Sequence, residues 1–372
     1  MFSLGIEMRK EHLGEKIADF SIGNPHLSPP KEFIEALRAH AGDKDIHRYM
    51  PNAGFTDVRE RIAGWLEKKF GIPFRTEHVV MTVGAAGGMN AALKTVLNAG
   101  EEVLLLEPWF CEYKFYAENH GGRTTVARTR ENFDLDFKEL GKKITEKTRA
   151  IIFNSPNNPT GKVYSEKELQ EFAELLRGKQ EEFNSQIYVL SDEPYREIVF
   201  EGKKIAPSIC SYYENSFMIY SWSKSLNLPG ERIGYIAAHP ELDDKRIYGK
   251  LAFTNRILGY VNAPALMQKA VADVLDLTVD ISPYRGGRRI ISPALRKAGY
   301  EFTEPEGTFY FFPKSPLENE LEFVEKAAEK LVLVTPGRGF GRKGYFRISY
   351  ATDRESIELG AERLAELAGE IK

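Results

Sequence analysis

The order of apolar and amphipathic segments predicts an α/β protein: a mostly parallel central sheet wrapped by helices, joined to a smaller α+β domain. Three observations carry this reading. Short apolar runs recur along the first two thirds of the chain, helix-like stretches separate them, and the pattern changes after about residue 280. The chain has 372 residues, more than the roughly 250–300 at which a single core tends to split in two.

The apolar runs are VVMTV (79–83), EVLLLE (102–107), AIIFN (150–154), IYVLSD (187–192), FMIYS (217–221) and GYIAA (234–238). Runs this short and this continuously apolar read as strands buried on both faces. Between them, residues 87–98 and 165–179 read as helices. The second is opened by Ser165 with Glu168 three residues on, which is a capping-box pattern. Strand, helix, strand in repetition makes neighbouring strands parallel. Beyond about residue 280 come a basic helix near 284–297, the strand TFYFF, an acidic helix, LVLV, YFRISY and a final helix, which together form the α+β domain. Residues 28–49, rich in proline and charge, lead from an N-terminal arm into the large domain. The resulting division is 1–46 for the arm and part of the small domain, 47–279 for the large domain, and 280–372 for the C-terminal small domain.

Composition narrows the function classes. Hydrophobic residues make up 42% and charged residues 28%, so the chain has the make-up of a folded globular protein rather than a disordered or fibrous one. Lys and Arg number 51 against 54 Asp and Glu, a net charge of −3 with no long run of one sign, which argues against nucleic acid as a partner. No apolar run approaches the ~18 residues that cross a bilayer. The opening MFSLGIEMRKEHLGEK carries charge where a secretory signal needs an apolar core, so a cytoplasmic location is expected. Cys111 and Cys210 are the two cysteines, too few for a disulfide framework and without Cys/His spacing for zinc, and no metal site is expected.

In open α/β sheets the ligand sits beyond the C-terminal strand ends, where loops and helix N-termini converge. The segments following five strands here are GAAGG, EPWF, NSPNNPTG, DEPYRE and SWSKS. One such turn is ordinary. Five polar, glycine or aromatic turns along one edge describe a large site for an anionic, aromatic ligand. Asp192 ends an apolar strand, where a carboxylate needs a partner to stay ionised; a cationic ring nitrogen would serve, and so would a simple turn cap. Tyr195 could turn its hydroxyl into the same cavity or simply pack. Lys224 stands between two serines just past a buried strand, where poor solvation lowers a lysine pKa, making it either an imine-forming nucleophile or an ordinary surface amine. Ser221, Ser223 and Arg232 offer donors suited to phosphate, as do successive backbone N–H groups from Gly84 to Gly88 at a helix start. That glycine segment is not GxGxxG, so a dinucleotide reading is weak. Asn158 within NNPTG reads by composition as a turn.

Taken together, SIGNPH, RYMPNAG, TVGAAGG, EPWFCEY, NSPNNPTG, SDEPYRE, SWSKSLNLPGERIG and YFRIS resemble the class I/II aminotransferases of fold type I, which depend on pyridoxal 5′-phosphate (PLP) and include aspartate aminotransferases. The resemblance runs from about Gly23 to Arg347. It implies a large PLP-binding domain, a small domain built from both termini, and a homodimer with composite active sites that takes an amino acid and a 2-oxo acid. It implies further that Lys224 holds PLP covalently and moves the proton, that Asp192 pairs with the pyridine nitrogen, and that Tyr195 and Asn158 bond the phenolic oxygen. Phe110 matches the aromatic ring stacked on the cofactor, with Trp109 its neighbouring alternative. Ser221, Arg232 and the N–H groups of Ala85 and Ala86 match the phosphate cup, and Tyr49 matches a tyrosine that reaches the partner subunit's phosphate. Arg347 matches the arginine for the substrate α-carboxylate, with a backbone contact from Gly23 and Asn158 close by. The chain departs from one aspartate-using branch in having Ala86 where that branch places a lysine. Arg256 lies near the segment from which another branch sends an arginine to the distal carboxylate. The segment PGRGFGRKGYFR (336–347) is shorter than in many relatives. The same residues would also serve a carbon–sulfur β-lyase of this fold, which remains the alternative at this point.

Overall fold

The structure is a computed structural model that describes residues 8, 10, 12, 14–200, 202 and 205–371. A short strand β1 (Ala18–Asp19) comes first, followed by the seven strands of the main sheet: β2 (Val79–Thr82), β3 (Glu102–Glu107), β4 (Arg123–Arg128), β5 (Thr148–Asn154), β6 (Tyr188–Asp192), β7 (Ser216–Ser221) and β8 (Gly234–Ala238). Their order across the sheet is β2-β8-β7-β6-β5-β3-β4. All pairings are parallel except the two made by β8, which runs antiparallel to both β2 and β7. The reason lies in the connection: β7 returns into β8 through a tight segment holding the four-residue helix Trp222–Ser225, with no crossover helix to reverse the chain again.

The six expected runs are all strands. Along β3, Leu104 and Leu106 enter the core layer that contains Phe33, Ile62 and Leu66, while Val103 and Leu105 enter the layer beneath the helix Gly84–Val96. Burying both faces is what removes the polar alternation from these strands. β4 was not anticipated. It lies at the sheet edge with exposed arginines at both ends and only Ala127 fully buried, which suits an edge strand and hides it from a search for apolar runs. The helix Glu166–Phe183 begins as expected: Ser165 Oγ accepts from the Glu168 N–H at 3.3 Å, and Glu168 Oε2 accepts from the Ser165 N–H at 2.9 Å.

The C-terminal part contributes β9 (Tyr310–Phe311), β10 (Val332–Leu333), β11 (Thr335–Pro336) and β12 (Phe346–Ser349), flanked by the helices Ser282–Ala298, Glu320–Glu329 and Arg354–Ile371. β1 pairs in parallel with β10, and Phe20 packs among Phe309, Phe323, Phe346 and Leu364, so the two ends of the chain share one apolar cluster. The helix Lys31–Ala41 buries Phe33 and Ala36 in the same cluster as Val58, Ile62 and Trp65 of the main-sheet part, and charge covers its outer face.

Candidate active site

A cavity of about 480 Å³ opens at the C-terminal ends of β3, β5, β6 and β7 and is closed on its far side by the C-terminal cluster. Asp192, the last residue of β6, is 9% exposed. The Tyr113 hydroxyl donates to its Oδ2 at 2.5 Å, whereas Oδ1 is buried without a partner. Burial pushes the carboxyl up to about 7, the Tyr113 bond opposes the shift, and the neighbouring Glu193 adds to it. Asn154, at the end of β5, ties the two strand ends together. Its Nδ2 donates to the Asp192 carbonyl at 2.8 Å, and its Oδ1 accepts from the Asn158 N–H at 2.7 Å, which seats the NNPTG turn.

Across the cavity, Lys224 extends from the short helix after β7 and donates to the Gly23 carbonyl at 2.6 Å. Burial, then the positive charges of Arg347 and Arg232, lower its amine to about 7. Arg347, from β12, donates through Nη1 to Asn158 Oδ1 at 2.9 Å and through Nη2 to the Ser21 carbonyl at 2.8 Å, while its Nε is buried without a partner. Its guanidinium lies between two rings, 4.6 Å from the centre of Tyr310 and 4.7 Å from that of Phe340. The Tyr195 hydroxyl meets the Tyr310 hydroxyl at 2.8 Å.

The anion-binding end is built where the helix Gly84–Val96 starts. Gly84 has φ +72, and a Cβ there would stand 2.7 Å from Arg232 Nη2, so glycine lets the guanidinium come up against the helix N-terminus. Ser221 Oγ lies 2.6 Å from Ser223 Oγ beside it, and Ala85 and Ala86 line the same wall. Phe110 lines the cavity from the turn after β3, edge-on to Tyr113 at 5.6 Å. Trp109 instead turns to pack on Gly341.

The structure therefore brings together Gly23, Ala85, Ala86, Phe110, Asn158, Asp192, Tyr195, Ser221, Lys224, Arg232 and Arg347. It does not bring in Tyr49, which is 97% exposed and borders a separate surface hollow with Tyr260, Val261 and Asn262. Arg256 is on that same side, its Nη1 donating to Asn52 Oδ1 at 3.0 Å. Sequence reasoning passed over Tyr113, Asn154 and Tyr310. Asn154 carried a usable signal, a polar residue ending an apolar strand as Asp192 does. Tyr113 and Tyr310 sat among other aromatics and read as core.

The arrangement suits a planar, anionic, cation-bearing cofactor. The orphaned Asp192 Oδ1 asks for a donor with positive charge, the helix start with Arg232 and two serines asks for a phosphate, and a near-neutral lysine amine stands between them. These features define a PLP enzyme of the α/β type. The profile of the family "Aminotransferase class I and II" matches residues 15–364, and the chain belongs to that family. A probable aspartate aminotransferase of Methanocaldococcus jannaschii is 31% identical over 91% of this chain and 90% of its own length. Aromatic-amino-acid aminotransferase 2 of Thermococcus litoralis is 32% identical over 96% and 93%. The crystal structure of an aminotransferase from Eubacterium rectale superposes with a TM-score of 0.96 at 36% identity, covering 100% of this chain and 95% of the other. The protein is an aminotransferase whose cofactor is pyridoxal 5′-phosphate. The lyase alternative finds no support among these relatives.

Proposed function

We propose that the protein moves an amino group between an L-amino acid and a 2-oxo acid as a cytoplasmic homodimer, with Lys224 as its proton-transferring residue. The observation that carries this reading is the opposed pair in one cavity: a carboxyl pushed up to about 7 with one oxygen free, and an amine lowered to about 7. Asp192 would face the ring nitrogen, Tyr195 and Asn158 the phenolic oxygen, and Phe110 one ring face. Ser221, Arg232 and the Ala85 and Ala86 N–H groups would hold the phosphate. When bound, the cofactor supplies an electron sink for the pair left on the substrate Cα.

The remaining steps belong to the chain's own residues. Arg347, whose Nε is buried without a partner while Nη1 and Nη2 are anchored on Asn158 and Ser21, would bind the substrate carboxylate and so hold Cα in one orientation toward Lys224. A Lys224 amine that titrates near 7 can take the proton from the substrate Cα at neutral pH and release it again, because neither form is strongly preferred. Among the residues lining the cavity the cations are Lys224, Arg232 and Arg347, so the chain's own wall offers no further cation to a distal carboxylate, and Glu112 at the rim adds negative charge.

Tyr49 and Arg256 share one exposed face with Phe253, Ile257 and Val261, which supports a homodimer in which this face meets a second copy. The experiment is a half-reaction screen. The loaded protein is mixed with single amino acids, and loss of cofactor absorbance is followed together with 2-oxo acid formation; borohydride reduction and peptide mapping then locate the attached lysine. Attachment at any lysine other than Lys224, or release of ammonia without need of a 2-oxo acid acceptor, overturns the reading.

A further inference from the structure

The short segment 337–345 is fastened at both ends by buried charge, and transamination itself assigns it nothing. On one side Arg338 Nε donates to Glu320 Oε1 at 2.7 Å, and Glu320 Oε2 accepts from the Gly344 N–H at 3.2 Å, holding the loop to its own domain. On the other side Arg342, only 1% exposed, crosses to the main sheet. Its Nη1 donates to Glu107 Oε1 at 3.2 Å and its Nη2 to Glu131 Oε1 at 3.0 Å, while Tyr345 also donates to Glu131 at 3.1 Å. Glu107 ends β3, three residues before Phe110, and also meets Arg128 at 3.4 Å. Two further contacts follow the same seam. The Trp109 N–H donates to the Phe340 carbonyl at 3.0 Å, and the Trp109 ring occupies the place where a Cβ on Gly341 (φ +80) would stand, 2.2 Å from its atoms. Phe340 is at once a wall of the cavity and one of the two rings flanking Arg347.

We propose that Arg342 is a positioning residue for the substrate carboxylate: by tying loop 337–345 to the end of β3, it sets Phe340 and Arg347 against Phe110 before substrate arrives. The inference rests on the proposed role of Arg347. A planar fork is needed because the two carboxylates lie on separate chain segments and each takes its own N–H, which a single ammonium on a flexible stem does not reproduce. Packing alone would join the two surfaces without the desolvation cost of a buried cation, so the ion pairs here act on geometry more than on stability.

The test uses the cofactor-loaded protein with Arg342→Met, Arg342→Lys, Glu107→Gln and Glu131→Gln. Arg342→Met raises KM for the amino acid by about ten- to a hundredfold and lowers kcat by a smaller factor, because misplacing a gripping group weakens binding and also disturbs the orientation of Cα. The Kd of propionate, read from its effect on cofactor absorbance, rises in parallel, and cofactor affinity is unchanged. Arg342→Lys behaves like Arg342→Met. Glu107→Gln is intermediate and Glu131→Gln weakest, since the Glu131 side chain is 71% exposed. A second reading needs no activity: Trp65 and Trp222 are 6% and 1% exposed, so acrylamide quenching of the cofactor-free protein reports on Trp109, and it increases in Arg342→Met. Unchanged KM and quenching in Arg342→Met overturn the proposal, as does loss of kcat and cofactor affinity with KM intact. Should Arg342→Met fail to fold, Glu107→Gln carries the same readouts. Arg347→Lys separates the two readings: if it leaves KM alone, the role given to Arg347 fails; if it raises KM while the Arg342 and Glu107 variants do not, the clasp fails.

Discussion

Asp192 and Lys224 are driven toward neutrality from opposite sides, so the cofactor-free protein should have a local minimum of stability near pH 7. The Asp192 carboxyl moves from 3.8 up to about 7. Between those values the folded protein keeps a proton that the unfolded chain has lost, so stability falls as pH rises through the window. About three pH units at about 1.4 kcal/mol each make a loss of about 4 kcal/mol. The Lys224 amine moves from 10.5 down to about 7. Above 7 it is the unfolded chain that keeps the proton, so stability is recovered by a similar amount as pH rises toward 10. Against a total of about 5–15 kcal/mol, either limb is large enough to measure. Urea unfolding of the cofactor-free protein at pH 5, 6, 7, 8 and 9 would be compared with Asp192→Asn, which should lose the descending limb, and Lys224→Met, which should lose the ascending one. Taking differences cancels the titrations that all three proteins share. Loading the cofactor should flatten both limbs. If Asp192→Asn and the parent run parallel between pH 5 and 7, the argument that burial strains this carboxylate is wrong.

Tyr113→Phe removes the donor to Asp192 and leaves a second buried oxygen bare; turnover should fall by about tenfold or more, since a hydrogen bond to a charged group contributes about 1.5–3 kcal/mol, and the acid limb of the pH–rate profile should move upward. Gly360→Ala places a Cβ 2.3 Å from the ring of Phe20, where the two chain ends meet; overpacking of about 1–3 kcal/mol should lower the melting temperature with KM unaltered, as thermal scans and steady-state kinetics will show. Mixing Tyr49→Phe with Lys224→Ala should restore activity above either variant alone, because one site of each mixed dimer then has its own Lys224 and the other chain's Tyr49. Mixed dimers without recovery would return Tyr49 to a packing role.

What could be read from the chain is short-range or periodic. The six buried strands show themselves because burial on both faces demands continuous apolar runs, and Ser165 with Glu168 announces a helix because a cap is completed within four residues. NNPTG, DEPYRE and SWSKS each fit inside one turn, so their order along the chain sufficed to place Asp192, Lys224 and Asn158 at one edge. The direction of β8 was not legible, because GYIAA presents the same apolar face to a neighbour whichever way it runs. Neither was β4, an edge strand whose composition answers to solvent. The partner of Asp192 is 79 residues away in Tyr113, that of Tyr195 is 115 away in Tyr310, and the clasp of Arg342 spans 235 residues to Glu107. Contacts of that reach depend on how distant elements pack, the first within the main sheet and its helices and the other two where the C-terminal part meets the sheet, which no local pattern encodes. The sequence thus determined which chemical groups the site contains, and tertiary packing decided which of them touch, which oxygen is left free, and how far each pKa is moved.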